Sequence, residues 1–370
     1  MGKAVRIFHG TENIGGIGRY LADWQRERKK AVADFIVYHD ETNRQNSHVN
    51  LHLERLNGWN RWWTQWHFFW ACLFRYDLFH FYFGKTFLPF GLDLPILKLF
   101  GKKMVFSYVG SDIRLYEVDR HRNPYHELRK VGRQHPRLDG RKKRMMRWQS
   151  LWFDRCLASR NLYEYARAVI PEKKIVRHIW ANTAMNLEEF VPNYETKSVP
   201  VIVHAPTNPI TKGTPYIEQA LEELKAEGYA FEYRKLHKVP NLEARRIYRE
   251  EADIIVDQLL SGGFGTLAME AMCYGKPVCG FVLPELRQSL PDLPIVQCTI
   301  ETIKQQLVWL MEHPEERVRL GRAGRAFAEA HYDREKNYQA VWDLYLELLG
   351  LPDELPDAPV RAAKPAGEDE

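Results

Sequence analysis

The stretch SGGFGTLAMEAMCYGKPV, from Ser261 to Val278, has the residue types and spacing best suited to chemistry. Gly262, Gly263 and Gly265 make a loop that side chains would obstruct. A helix is expected from about Thr266 to Tyr274, and because it is apolar nearly all round it should be buried. Glu270 is its one carboxylate. A carboxylate in such surroundings is costly unless something satisfies it. The vicinal hydroxyls of a ribose would do so, and so would a neighbouring arginine. Thr266 and Glu270 are four apart and share a helix face.

Two other stretches have related chemistry. In VHAPTNPITKGTPYIEQAL (Val203–Leu221), an apolar strand enters a loop with Lys212, Gly213 and Thr214 before a helix. Thr214 can cap that helix, with Pro215 at its first position. A lysine there opposes the helix dipole unless an anion such as phosphate joins it; the plainer reading is a solvated loop lysine. In GTENIGGIGRY (Gly10–Tyr20), Gly15, Gly16 and Gly18 close a strand and open a helix. Backbone amides in such a loop can approach a phosphate or a sugar, and an ordinary tight turn would look the same.

The elements that must position these residues alternate. Apolar runs at Ala4–Phe8, Phe35–Tyr38, Leu78–Phe81, Met104–Tyr108, Val169–Ile170, Val199–His204, Phe231–Lys235, Ile254–Val256 and Pro277–Val282 read as strands. Helical patterns such as Tyr216–Ala226 and Ala244–Ala252 lie between them, as in parallel α/β sheets. At 370 residues the chain is long for one core, and the order restarts near Val199. The expected division is an N-terminal domain over 1–192, a C-terminal domain over 193–334, a helix over 335–349 that crosses back to the first domain, and a disordered tail over 350–370.

Composition narrows the class further. The formal charge is +5, only mildly basic. Five cysteines, with no C-x-x-C and no histidine pairs at ligand spacing, fit a reduced cytoplasmic protein without structural zinc. No apolar run is long enough to span a bilayer. Two segments break the α/β rhythm. WNRWWTQWHFFWACLFRYDLFHFYFG, Trp59 to Gly84, is dense in aromatics; on a helix Trp62, Trp66, Phe69, Trp70 and Leu73 form one stripe that Trp63 and Phe74 widen, with Arg61 and Arg75 at its flanks. That stripe reads either as a core helix or as a peripheral anchor, whose partner would be an anionic membrane surface. Asp119–Ser150 holds eleven Lys/Arg against three Asp/Glu but no nucleic-acid-binding module, so no nucleic acid partner is expected.

Taken together, GGFGTLAMEAMCYGKPV resembles the nucleotide-sugar signature of the retaining GT-B glycosyltransferases often called family four, or glycosyl transferases group 1. There the pattern is Glu-Gly-Phe-Gly, four residues, Glu-Ala-Met, then Gly-x-Pro-Val. TKGT, FSYVGSDIR (Phe106–Arg114), YDLFHFYFG (Tyr76–Gly84), GGIGRY and NLEEFVPN (Asn186–Asn193) are similar to further family stretches in the same order, over nearly all of residues 1–349. The resemblance implies two Rossmann-like domains facing across a cleft, and transfer of a hexosyl or deoxyhexosyl group from a nucleotide-sugar to a glycan or lipid-linked acceptor. Transfer would occur with retention, without metal or other cofactor, and would serve polysaccharide biosynthesis in the cytoplasm or at the inner face of the membrane. It places Glu270 on the ribose and Lys212 on the diphosphate. Backbone amides of Gly263, Gly265, Thr266 and Leu267 would face the donor, with Gly15, Gly16 and Gly18 over its phosphates. His80 and Asp112 fall in matched motifs and carry the catalytic expectation.

The chain departs from the family pattern in three places. The glutamate that normally reads the sugar hydroxyls falls at Gly262, the histidine before Gly-Ser-Asp falls at Val109, and HAPTNPIT lacks the usual arginine. Asp257 and Gln258 are the polar residues placed to substitute, and Asp257 joins the catalytic set. The alternative is a degenerate member that binds a nucleotide-sugar or glycan without transfer.

Overall fold

The computed structural model describes residues 4–40, 47–129, 136–179 and 181–352. Most of the tail expected to be disordered therefore lies outside the described residues, as do residues 130–135 of the basic segment. The first sheet contains β1 (Arg6–Gly10), β2 (Val32–Val37), β3 (Val49–Asn50), β4 (Leu78–Tyr82), β5 (Lys103–Tyr108), β6 (Arg155–Ala158) and β7 (Ile175–Val176), in the order β3-β2-β1-β4-β5-β6-β7. The second contains β8 (Val201–His204), β9 (Glu232–Lys235), β10 (Ile254–Val256), β11 (Val278–Gly280) and β12 (Val296–Gln297), in the order β12-β11-β10-β8-β9. Every pairing in the second sheet is parallel. β8 and β10 are buried throughout, as expected of parallel strands covered on both faces. The α/β class and the doubly wound order agree with the expectation. The differences lie in the short strands. Val169–Ile170 is not a strand but follows a short helix, Tyr163–Arg167, and β3, β6, β7 and β12 were not expected.

The chain divides into two compact units, Met1–Ser107 with Trp148–Cys156 and Tyr338–Glu370, and Tyr108–Arg147 with Leu157–Asn337. These units do not coincide with the division expected at residues 192/193, which falls between the end of β7 and the start of β8. The reason is local packing inside the second unit. Arg122 pairs with Glu285 at 2.7 Å, Asn123 Nδ2 donates to the Leu260 carbonyl at 2.8 Å, and Tyr125 packs edge-on against Phe281.

In the first unit the core is aromatic, with Phe8, Phe79, Phe81, Phe87 and Phe106 fully buried. Two imidazoles lie among these rings. His9 meets Tyr82 Oη through Nδ1 (2.9 Å) and Gln25 Oε1 through Nε2 (2.8 Å). His80 meets Ser107 Oγ through Nε2 (2.8 Å) and Tyr345 Oη through Nδ1. Tyr345 belongs to the last helix, Arg334–Leu349. In the second unit His204 Nδ1 donates to the Val256 carbonyl and its Nε2 accepts from Thr214 Oγ1, both at 2.8 Å.

Burial lowers all three imidazoles: His9 and His204 to about 4, and His80 well below its ordinary value. All three are expected to remain neutral in the folded protein through pH 6, and imidazole proton shifts in NMR would report it. The sign follows from proton counting. As pH falls from about 6.5 toward 4 the unfolded chain takes up these protons first, so each group removes stability on acidification. A histidine among the three titrating near its ordinary value would contradict the arrangement.

Candidate donor site

The second sheet reverses direction at β8: the chain moves to β9 on one side and returns to β10 on the other. In open parallel sheets, the carboxyl ends of the strands at such a reversal form a natural ligand crevice. Lys212 follows β8, and Asp257, Gln258 and the glycine loop follow β10.

These residues are bonded to one another. Lys212 Nζ lies 3.1 Å from Asp257 Oδ1 and 2.6 Å from Gln258 Oε1. Asp257 Oδ2 accepts from the Gly265 amide at 2.8 Å, and Gln258 Nε2 donates to the Gly263 carbonyl at 2.6 Å. Asp257 is 2% exposed, so this pairing is how its charge is tolerated. Its two oxygens tie Lys212 to the loop, which makes it first a positioning residue. Lys212 is neither a solvated lysine nor the first residue of the long helix. A one-turn helix, Pro209–Lys212, capped by the Asn208 side chain, ends at it. Gly213, at φ +82°, then starts the helix Thr214–Ala226, in whose first turn Pro215 sits. Thr214 does not cap that helix; its hydroxyl is bonded to His204.

The helix after the loop runs Thr266–Cys273, and Leu267 to Cys273 are all buried. Gly265 occupies its N-cap without a side-chain cap, so the amides of the first turn are left to other partners. A Cβ on Gly265 would stand 3.1 Å from Lys212 Nζ, which explains why the loop is bare there. Glu270 is 6% exposed, and its Oε1 accepts from Asn241 Nδ2 at 3.2 Å. Arg245, stacked on Phe190, adds a positive charge nearby. Asn241 is the site residue that sequence reasoning missed. It opens the helix Asn241–Glu250, and its side-chain amide reaches Glu270.

Of the other candidates, the Gly15–Gly18 loop and His80 belong to the first unit and Asp112 to the second. Gly15 and Gly16 adopt φ +62° and +80° at the start of the helix Ile17–Lys29, with the Gly16 amide donating to Asn13 Oδ1. Gly18 serves packing: a Cβ there would fall 2.6 Å from the Phe35 ring. His80 is 1% exposed with both ring nitrogens engaged in the core of the first unit. Asp112 accepts from the amides of Val109 (3.3 Å) and Gly110 (2.7 Å) and so shapes its own turn; burial raises its pKa against those bonds. Neither is bonded to the Lys212–Glu270 cluster.

Gly262 is not a simple vacancy. It sits at φ +68°, and a Cβ would lie 2.6 Å from Leu283 Cγ. A side chain at this position meets both backbone strain and the Leu283 side chain.

No family model matches the chain. It is similar to a trehalose synthase of Pyrococcus horikoshii, 23% identical over 169 residues, which are 44% of this chain and 39% of that protein. The chain thus matches about two fifths of the length of that curated relative. Solved structures match far more of it. A sucrose-phosphate synthase of Thermosynechococcus elongatus superposes with a TM-score of 0.66 at 13% identity, covering 94% of this chain and all of the other. HepE of Anabaena, in complex with UDP, gives 0.62 at 10% identity over 93% and 100%. The catalytic domain of starch synthase IV from Arabidopsis thaliana, bound to ADP and acarbose, gives 0.56 at 12% identity over 94% and 100%. At these identities the likeness is one of architecture, and the chain has the GT-B fold of these glycosyltransferases.

Proposed function

We propose that this chain transfers a hexosyl or deoxyhexosyl group from a nucleotide-sugar to a glycan or lipid-linked acceptor, with retention of configuration. The observation that supports it is the cluster at the β8/β10 reversal, which gathers a cation, bare loop amides and a buried carboxylate. In this reading Glu270, steadied by Asn241, accepts hydrogen bonds from ribose hydroxyls. Lys212 turns from Asp257 toward the diphosphate, and the first-turn amides at Thr266 and Leu267 meet its oxygens. As the glycosidic bond breaks, these groups stabilise negative charge on the departing nucleoside diphosphate with no need for a metal. Asp257 keeps Lys212 and the loop in register. Polysaccharide biosynthesis, on the inner face of a membrane, fits an acceptor of this kind. The second reading, a binder that no longer transfers, is favoured by Val109 and Gly262 standing where the family has a histidine and a glutamate.

A panel of nucleotide-sugars decides between them. A bound donor is expected to raise the melting temperature by mass action, and release of nucleoside diphosphate in the presence of glycan or lipid-linked acceptors then reports turnover. NMR of the product's anomeric centre tests retention. Donor binding without turnover across the panel selects the second reading, and no donor binding at all overturns the first.

A further inference from the structure

The expected aromatic stripe divides on folding. In the helix Gly58–Arg75, Phe69, Cys72 and Leu73 enter the core. The opposite face holds Trp59 (68% exposed), Trp63, Trp70 and Phe74 (65% exposed) at helical spacing. Trp70 and Phe74 pack on Phe100 at 6.5 and 6.0 Å between ring centres, which continues the surface to Leu99, 83% exposed. Phe90 and Leu151 of the same unit are each 66% exposed as well. Single exposed apolar side chains are ordinary, but a run of this many large ones marks an interaction site.

Charge indicates the partner. The segments Gly58–Arg75 and Pro89–Phe100 hold only one carboxylate, Asp93, and it is buried. Arg61 and Arg75 are exposed on the aromatic helix. Lys98, beside Leu99, is exposed as well and pairs with Asp154 at 2.7 Å. Tryptophan suits the boundary between headgroups and acyl chains, and arginine suits anionic headgroups. No helix of the described residues is long and apolar enough to cross a membrane, so this chemistry fits lying on a surface.

We infer that the outer face of the Gly58–Arg75 helix, with Leu99 and Phe100, docks on an anionic lipid bilayer. The tryptophan and phenylalanine rings enter the headgroup boundary, and the flanking arginines meet lipid phosphates. The inference does not rest on the donor-site reading, because a protein that binds vesicles but no nucleotide would still satisfy it.

The test is flotation with vesicles of equal parts phosphatidylcholine and phosphatidylglycerol at low salt, with phosphatidylcholine alone as control. The parent is expected to float with the anionic vesicles at least about tenfold better than with the neutral ones. The variant Trp59→Ser/Trp63→Ser/Trp70→Ser/Phe74→Ser should lose about tenfold or more. Arg61→Glu/Arg75→Glu, at exposed positions of the aromatic helix, should also lose about tenfold, and it decides the matter if the aromatic variant does not fold. A parent that stays off anionic vesicles, or folded variants that float as the parent does, would overturn the inference. So would a lipid-free dimer that the aromatic variant dissolves, since the face would then belong to a second copy.

Discussion

Lys212→Ala is expected to weaken nucleoside diphosphate binding by about ten- to a hundredfold, the worth of a charge-assisted contact of ~1.5–3 kcal/mol. Affinity for the nucleoside without phosphates should change little. Glu270→Ala should cost about as much for both ligands, since ribose is common to them. Titration calorimetry separates the two patterns. Lys212 has a second effect, because its removal leaves Asp257 buried without its cation. The single variant should therefore also lose stability, on the order of 1–3 kcal/mol. Lys212→Ala/Asp257→Asn should recover most of that stability and none of the affinity. Unchanged nucleoside diphosphate affinity in Lys212→Ala and Glu270→Ala would remove the donor site from this end of the second sheet.

Gly262→Glu should destabilise the second unit by about 3 kcal/mol, the sum of left-handed backbone strain and overpacking. The resemblance alone suggests that a glutamate here would restore a sugar-reading carboxylate. The structure opposes that, with φ at +68° and Leu283 Cγ 2.6 Å from the added Cβ. Gly262→Ala, which adds only the Cβ, should lose most of the same stability. Urea unfolding midpoints measure both. A Gly262→Glu protein as stable as the parent, with an altered donor preference, would show that the loop had room after all.

Sequence and structure agree most closely where a single residue broke a strong pattern. Glu270 was visible because everything around it in its helix is apolar. Lys212 was visible because its place beside a helix start looked electrostatically wrong, and the structure resolves that with Asp257. Asn241 was not visible, because its contact with Glu270 spans 29 positions and depends on how two helices pack. The roles of Gly18 and Gly262 were hidden for a similar reason: the side chains that exclude a Cβ there, Phe35 and Leu283, come from elsewhere in the chain. The aromatic helix could be read as core or as surface because it is both, and periodicity alone does not say which face turns inward. β6 was missed because RCLA is too short for a pattern.

The bond between His80 and Tyr345 joins residues 265 positions apart, and it belongs to the first sheet's own core. A strand made earlier in synthesis is thus completed by a helix made some 265 residues later. At roughly 5–20 residues per second, the wait is on the order of tens of seconds. Until Tyr345 arrives, His80 Nδ1 lacks its partner in that core. Premature release of a chain ending before Tyr338 would leave the first unit unfinished. Such a product exposes apolar strand surface, which is the material of aggregation and of recognition by chaperones.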